Sequence, residues 1–276
     1  MLDKWLALQK RTPCCYKYGV VDVRELSIAD DTVLDLLARE IVLANSNPKL
    51  LHDVFQELCQ DVSTLGLSKF KQFVEAQILG LTPSPKVATL IGNFGEILST
   101  RILVEFEGFW FPIYKLRFRE KKDWAMRLTD LCLIKTSGLP QPLVCYGEVK
   151  TNSSQYNADL GIAGHASLAK DDALTDPEVL RFLCQVLYET GKYDESSFIR
   201  RIWLGSISFT KRHDLFLVHE QTTWSDEILA RLDSTQLNDE KLVDFTVKVV
   251  RIGGLRAVID SSYARAWQAA EVIANE

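Results

Sequence analysis

The sequence predicts an α/β protein with helices flanking a central sheet. Three observations predict it. Apolar residues recur at helical spacing over long segments, short β-branched and aromatic runs lie between turn signals, and the two kinds alternate from about residue 84 onward. With 276 residues, 47% of them hydrophobic and 25% charged, the chain has the balance of a soluble globular protein and ample length for a core.

In chain order, "YGVVDVREL" reads as a strand. "SIADDTVLDLLAREIVLANSNP" reads as a helix, with Ser27 or Asp30 as its cap and Asn47-Pro48 at its end. "KLLHDVFQELCQDVS" and "SKFKQFVEAQILGL" read as two more helices. Residues 1–82 are therefore expected to be a mostly helical N-terminal region, suited to docking a partner and closed by the Pro-containing break "GLTPSPK". "PKVATLIGNFGEILSTRILVEFE" then predicts a helix leading towards a strand. "GFWFPIYKLRFRE", "MRLTDLCLIKT" and "PLVCYGEVKT" read as three strands. "DPEVLRFLCQVLYETGKY" is a helix, "RRIWLGSISFT", "DLFLVHE" and "LVDFTVKVVRI" are expected strands, and "LRAVIDSSYARAWQAAEVI" is the closing helix.

Several function classes are not expected. No run of about 18 apolar residues predicts a membrane span. The start "MLDKWLALQKRTPCC" does not read as a secretion signal, so a cytoplasmic location is expected. Six cysteines and four histidines lack metal-ligand spacing, which argues against zinc and a disulfide framework. Cys132 and Cys145, inside strand-like runs, read as reduced core thiols. The formal charge is −5, whereas a chain that grips nucleic acid unaided is usually basic. Work on nucleic acid would need a local basic patch, metal ions or a partner.

The chemistry gathers at strand ends. In "RLTDLCLIKT", Leu128, Asp130, Cys132 and Ile134 share a strand face, so a carboxylate points the same way as core residues. In "PLVCYGEVKT", Glu148 and Lys150 likewise share a face where an apolar strand ends. If these strands are neighbours, the two acids meet, and they repel unless a cation lies between them. Mg²⁺ takes oxygen ligands and commonly uses one or two carboxylates plus substrate phosphate. Lys150 supplies an ammonium to position the attacking water or stabilise developing charge. Acid-x-lysine also occurs at Glu120-Lys121-Lys122 and at Asp239-Glu240-Lys241, but in charged stretches that read as solvated turns. The bland alternative for 148–150 is an ion pair at a sheet edge, contributing about 0–1 kcal/mol.

A third acid lies on the helix before these strands. Val87, Leu90, Ile91, Phe94 and Leu98 form its apolar face. Gly92 and Gly95 interrupt it at about 1 kcal/mol each relative to alanine. That cost points to a close neighbour, with Glu96 beside it. The alternative is a kink with Glu96 solvated.

Glu96 on a helix, Asp130 on a strand and Glu148-Val149-Lys150 on the next resemble the restriction-endonuclease-like superfamily, written PD-(D/E)-x-K. The resemblance covers roughly residues 84–215, with Thr129 in place of the proline. More narrowly, "GNFGEILSTRIL", "WAMRLTDLCLI" and "YGEVKT" resemble the effector family of the Hachiman anti-phage defence system, HamA. The resemblance implies a mixed central sheet flanked by helices, with residues 83–276 as the nuclease-like domain. It implies metal-dependent DNA cleavage, with Asp130 and Glu148 holding Mg²⁺ (Mn²⁺ as a substitute), Lys150 as the catalytic lysine and Glu96 assisting. It also implies a partner, a HamB-like superfamily 2 helicase that restrains the nuclease until infection. The competing expectation is a catalytically inactive nuclease-like module that binds a partner or nucleic acid.

The local basic patch is "YKLRFREKKDWAMR", with Lys115, Arg117, Arg119, Lys121, Lys122 and Arg127. If extended, Lys115, Arg117 and Arg119 share a face and either follow a phosphate backbone or protect an edge strand. The loop "TNSSQYN" offers amides and hydroxyls to phosphate, or is a surface turn. His165 and Lys170 read as surface polar residues within reach of a substrate. Trp110, Trp124 and Trp203 read as core or interface anchors.

Overall fold

A computed structural model of the chain describes residues 1–12, 14–59, 64–82, 86–118, 129–169, 177–237 and 241–276. Arg119, Lys121, Lys122, Trp124, Arg127, Leu128 and Lys170 lie outside them, as do Glu120, Asp239 and Glu240.

The described strands are β1 (Leu6–Lys10), β2 (Gly19–Glu25), β3 (Leu131–Lys135), β4 (Leu143–Asn152), β5 (Thr210–Glu220) and β6 (Phe245–Ile252). They form one six-stranded sheet in the order β1-β2-β6-β5-β4-β3. The two outer pairs, β1–β2 and β3–β4, are antiparallel, and the inner pairs are parallel. The architecture is α/β with a mixed sheet, as expected. Residues 1–82 contribute β1 and β2 to that sheet as well as three helices.

The described helices are α1 (Asp31–Asn45), α2 (Pro48–Leu58), α3 (Thr64–Phe73), α4 (Val87–Glu107), α5 (Leu160–Ala169), α6 (Pro177–Glu189), α7 (Tyr193–Trp203), α8 (Glu227–Ser234) and α9 (Leu255–Ala274). On one face of the sheet, α1, α4 and α9 bury Leu37, Ile41, Phe94, Leu98 and Ala266 against Leu131, Leu133, Phe216 and Val250. On the other face, α5 and α8 cover Leu215, Val247 and Val249, while α6 and α7 cover Cys132, Ile134, Val144 and Tyr146. Alternation along β3 and β4 divides their side chains between the two layers.

Local signals explain the boundaries. Asp30 caps α1, its side chain accepting from Val33 N. Asn47 caps α2, with Pro48 in the first turn where its missing N–H costs nothing. Helix α4 stops at Gly108, whose φ of 70° is the left-handed conformation that favours glycine.

Three expectations are corrected. "GFWFPIYKLRFRE" is not a strand: among its described residues only Trp110 makes a β-bridge, to Ile134, and Lys115–Phe118 form a 3₁₀ turn. Pro112, which cannot donate to a ladder, sits in the middle of the run. The strand expected after the helix "PKVATLIGNFGEILSTRILVEFE" is absent, because α4 stays helical through Glu107. "RRIWLGSISFT" is the end of α7, which stops at Trp203 and turns at Gly205 with φ 72°. Asp194 and Glu195 in its first turn and Arg200 and Arg201 in its last complement the helix dipole.

Length and composition alone would let α4 cross a membrane. Here it is an interior helix, with Phe94, Ile97, Leu98, Ile102 and Leu103 buried in the core. At its C-terminal end Glu107 meets a buried charge cluster from the sheet. Its Oε2 accepts from Arg212 Nη1 at 2.7 Å and its Oε1 from Lys248 Nζ at 2.6 Å. Arg212 Nη2 also donates to Asp214 Oδ2 at 2.7 Å, and its guanidinium lies 4.8 Å from the Phe109 ring centre. Burial opposes ionisation of Glu107, but Lys248 and Arg212 outweigh it and hold the carboxyl below its usual range.

Candidate active site

The β3–β4 register builds the site. Leu131 pairs with Gly147 and Cys132 with Tyr146. One step further, where β3 begins, Asp130 falls opposite Glu148. Alternation then puts Asp130, Glu148 and Lys150 on the face that carries Cys132, Ile134, Val144 and Tyr146 lower down. Asp130 Oδ2 accepts from Val149 N at 2.9 Å, which fixes the carboxylate against β4. Thr129 is buried, and its hydroxyl donates to Gly147 O at 2.8 Å. That bond ties the approach to β3 onto β4.

Lys150 Nζ donates to Glu148 Oε1 at 2.7 Å. Helix α5 covers the lysine stem, and Gly164 makes this possible. A Cβ there would stand 2.5 Å from Leu215 Cδ1 and 3.2 Å from Lys150 Cγ. On the opposite face, α4 approaches β4 through Gly95, where a Cβ would stand 1.8 Å from Thr151 Oγ1. The helix glycine does mark a close approach, as the sequence suggested. Gly92 does not, since a Cβ there meets nothing within 4 Å. The approach at Gly95 brings Glu96 to the edge of the site.

Among the described residues, Lys115 comes within reach of Glu96. Its Nζ donates to Asp130 Oδ1 at 2.9 Å and lies 3.9 Å from Glu96 Oε2. The side chain is 11% exposed. Burial works against the ammonium, but Glu96, Asp130 and Glu148 outweigh it and raise its pKa above the ordinary lysine value. Lys115 and Arg117 therefore do not line an exposed, extended face. Arg117 Nε instead donates to Leu43 O at 2.5 Å.

Burial and neighbouring charges perturb Glu148. Burial and the nearby Asp130 charge push its carboxyl up to about 7, against the pull of Lys150 and Lys115. Its folded pKa exceeds the ordinary 4.5, so the folded state holds the proton longer than the unfolded chain does. The associated stability is complete below about pH 4.5 and is lost as pH rises through about 7. The difference corresponds to about 3 kcal/mol. Relative to Glu148→Gln, wild type in EDTA should thus lose stability by up to that amount between about pH 5 and about pH 8. Urea denaturation of both proteins at the two pH values checks this, and parallel pH profiles would contradict the buried, repelled carboxylate.

The donor set suits a hard divalent cation. Two carboxylates meet in partial burial, and burial together with the Asp130 charge raises the pKa of Glu148. Among the described residues no three His, Cys, Asp or Glu side chains form a complete ligand cluster. Two carboxylates with water and substrate phosphate completing the shell are usual for Mg²⁺.

A family model described as HamA matches residues 13–266. The chain belongs to the HamA family. HamA is a component of Hachiman antiviral defence, and the match spans β2 to β6 and most of α9. The curated proteins give no significant match to this HamA-family chain.

Other sequence candidates fall differently. His165 is buried on α5, with its ring 5.7 Å from that of Phe245, so it is not a surface residue. In "TNSSQYN", Asn152 Oδ1 accepts from Ser154 N and Gln155 N, the hydrogen bonding of an ordinary turn. Trp110 and Trp203 pack against the α6–α7 core. Sequence reasoning missed Lys115 as a partner of the acids and Gly164 as the seat for Lys150. Pro112 and the Gly161-x-x-Gly164 spacing were the signals available.

Proposed function

We propose that this HamA-family chain is a metal-dependent DNA endonuclease, the effector of an anti-phage system under the control of a partner helicase. The observation that carries the reading is the meeting of Asp130, Glu148 and Lys150 at one point of the β3–β4 pair. A bound Mg²⁺ or Mn²⁺ would supply Lewis-acid polarisation of a phosphoryl oxygen and screen the two carboxylates. Asp130 and Glu148 would hold it. Lys150, fixed by Glu148 and by the wall of α5, aims an ammonium at the place where a phosphodiester gains negative charge. Glu96 assists from α4, and the protein acts in the cytoplasm.

A second reading has an observation of its own. The Lys115 ammonium already pairs with Asp130 and lies 3.9 Å from Glu96, which is compatible with an inactive module that binds a partner or nucleic acid. Plasmid and linear DNA cleavage separates the two, using purified protein alone and with the helicase. The nuclease reading expects cutting that needs Mg²⁺, stops in EDTA and is absent in Glu148→Ala. No cutting under any condition, with DNA or helicase binding intact, would favour the inactive module.

A further inference from the structure

Lys115 reaches the acids from a segment built to hold it there. The segment starts at Trp110, which exchanges two backbone hydrogen bonds with Ile134. Tyr114 OH donates to Glu40 Oε2 on α1 at 2.8 Å, and Arg117 Nε donates to Leu43 O on the same helix. Leu116 is buried between these anchors. Lys115 is thus flanked on both sides by residues tied to α1, which fixes the backbone from which its largely enclosed side chain reaches Asp130.

The ammonium uses Asp130 Oδ1, and Val149 N already occupies Oδ2. An oxygen engaged by an ammonium at hydrogen-bond distance cannot also serve as an unhindered ligand to a second cation, and two cations crowded there repel. We propose that Lys115 is the resident counter-cation of the site and that a divalent ion binds Asp130 only by displacing its ammonium. This rests on the reading of Asp130 and Glu148 as a metal-holding pair. Lys115 then sets how much divalent ion is needed to load the site, and α1, through Tyr114 and Arg117, sets how firmly the ammonium is held.

The test is calorimetric titration of the full chain with Mn²⁺, comparing wild type, Lys115→Met and Lys115→Arg. Lys115→Met is expected to bind Mn²⁺ at least about tenfold more tightly than wild type, or about 1.4 kcal/mol. Lys115→Arg, which keeps the charge, should remain close to wild type. Thermal unfolding gives a second readout. In EDTA, Lys115→Met should melt below wild type because its acids lose their counter-ion, and Mn²⁺ should raise its Tm by more than it raises that of wild type. Equal Mn²⁺ affinity and equal Tm shifts in wild type and Lys115→Met would overturn the displacement while leaving the metal site standing. Weaker binding by Lys115→Met would also overturn it, by making Lys115 a support for the metal. No Mn²⁺ binding by any of the three would remove the metal-holding pair and the displacement together.

Discussion

Lys150→Ala is expected to slow DNA cleavage by about 10³-fold while divalent-ion binding survives. The lysine donates no electron pair to a metal. Its ammonium rests on Glu148 at 2.7 Å, and its stem lies against α5, so the charge is held in place before substrate arrives. Losing it removes charge stabilisation that acts on the transition state. A secondary effect has a definite sign. Lys150 lowers the pKa of Glu148, so without it Glu148 keeps its proton to higher pH, and metal affinity should fall modestly at neutral pH and recover in mildly alkaline buffer. Glu148→Ala should lose both cleavage and metal binding. Single-turnover cleavage beside Mn²⁺ titration distinguishes the variants. A Lys150→Ala protein within about tenfold of the wild-type rate would remove the lysine from the chemistry. Arginine is not expected to restore it, because a planar guanidinium does not fit a seat shaped around a narrow lysine stem.

The largest effect on stability is expected from Glu107→Ala. Asp214 is fully buried and Lys248 is 3% exposed, and Arg212 is largely enclosed between Glu107, Asp214 and Phe109. Removing Glu107 leaves two cations sharing one carboxylate inside the protein. Breaking a buried pair in this way costs about 3–5 kcal/mol, or roughly 10 °C in Tm for a chain of this size. Glu107→Leu combined with Lys248→Met restores charge balance around Arg212–Asp214 and should recover a large part of the loss. A loss below about 1 kcal/mol in the single variant would mean that water reaches the cluster.

The two halves of the site were not equally legible in the sequence. Asp130, Glu148 and Lys150 could be grouped because their strands are neighbours in the chain and a two-residue period fixes the face of each side chain. Gly95 could be read because a helix glycine is costly and needs a reason. Lys115 could not be placed by period, since its segment has none: Pro112 breaks the strand pattern, and the 3₁₀ turn is set by Tyr114 and Arg117 reaching α1, about 70 residues earlier in the chain. The cluster of Glu107, Arg212, Asp214 and Lys248 was hidden for the same reason. Its members lie on three elements far apart in sequence, and only the sheet order brings them together. The run "RRIWLGSISFT" looked like a strand because its apolar residues are β-prone, whereas the charges flanking α7 and the turn at Gly205 decide for helix.

The sheet order also dictates how the chain comes together as it is made. Strand β6 lies between β2 and β5 and is the last of the described strands to leave the ribosome. Until it does, the sheet is in two parts, a β1–β2 hairpin and the β5–β4–β3 strands, bridged by the packing of α1 on α4 and of α4 on β4, with the β2 and β5 edges open. The second part already contains Asp130, Glu148 and Lys150. The strand pairing that joins the two parts of the sheet therefore closes over a span of more than two hundred residues, from Gly19↔Thr246 onward. Such long-range pairing is slow to form and leaves strand edges open to aggregation in the meantime. A nascent chain stalled before β6 would present those two unpaired edges to its neighbours, and its folding is expected to depend on chaperones more than its size alone would suggest.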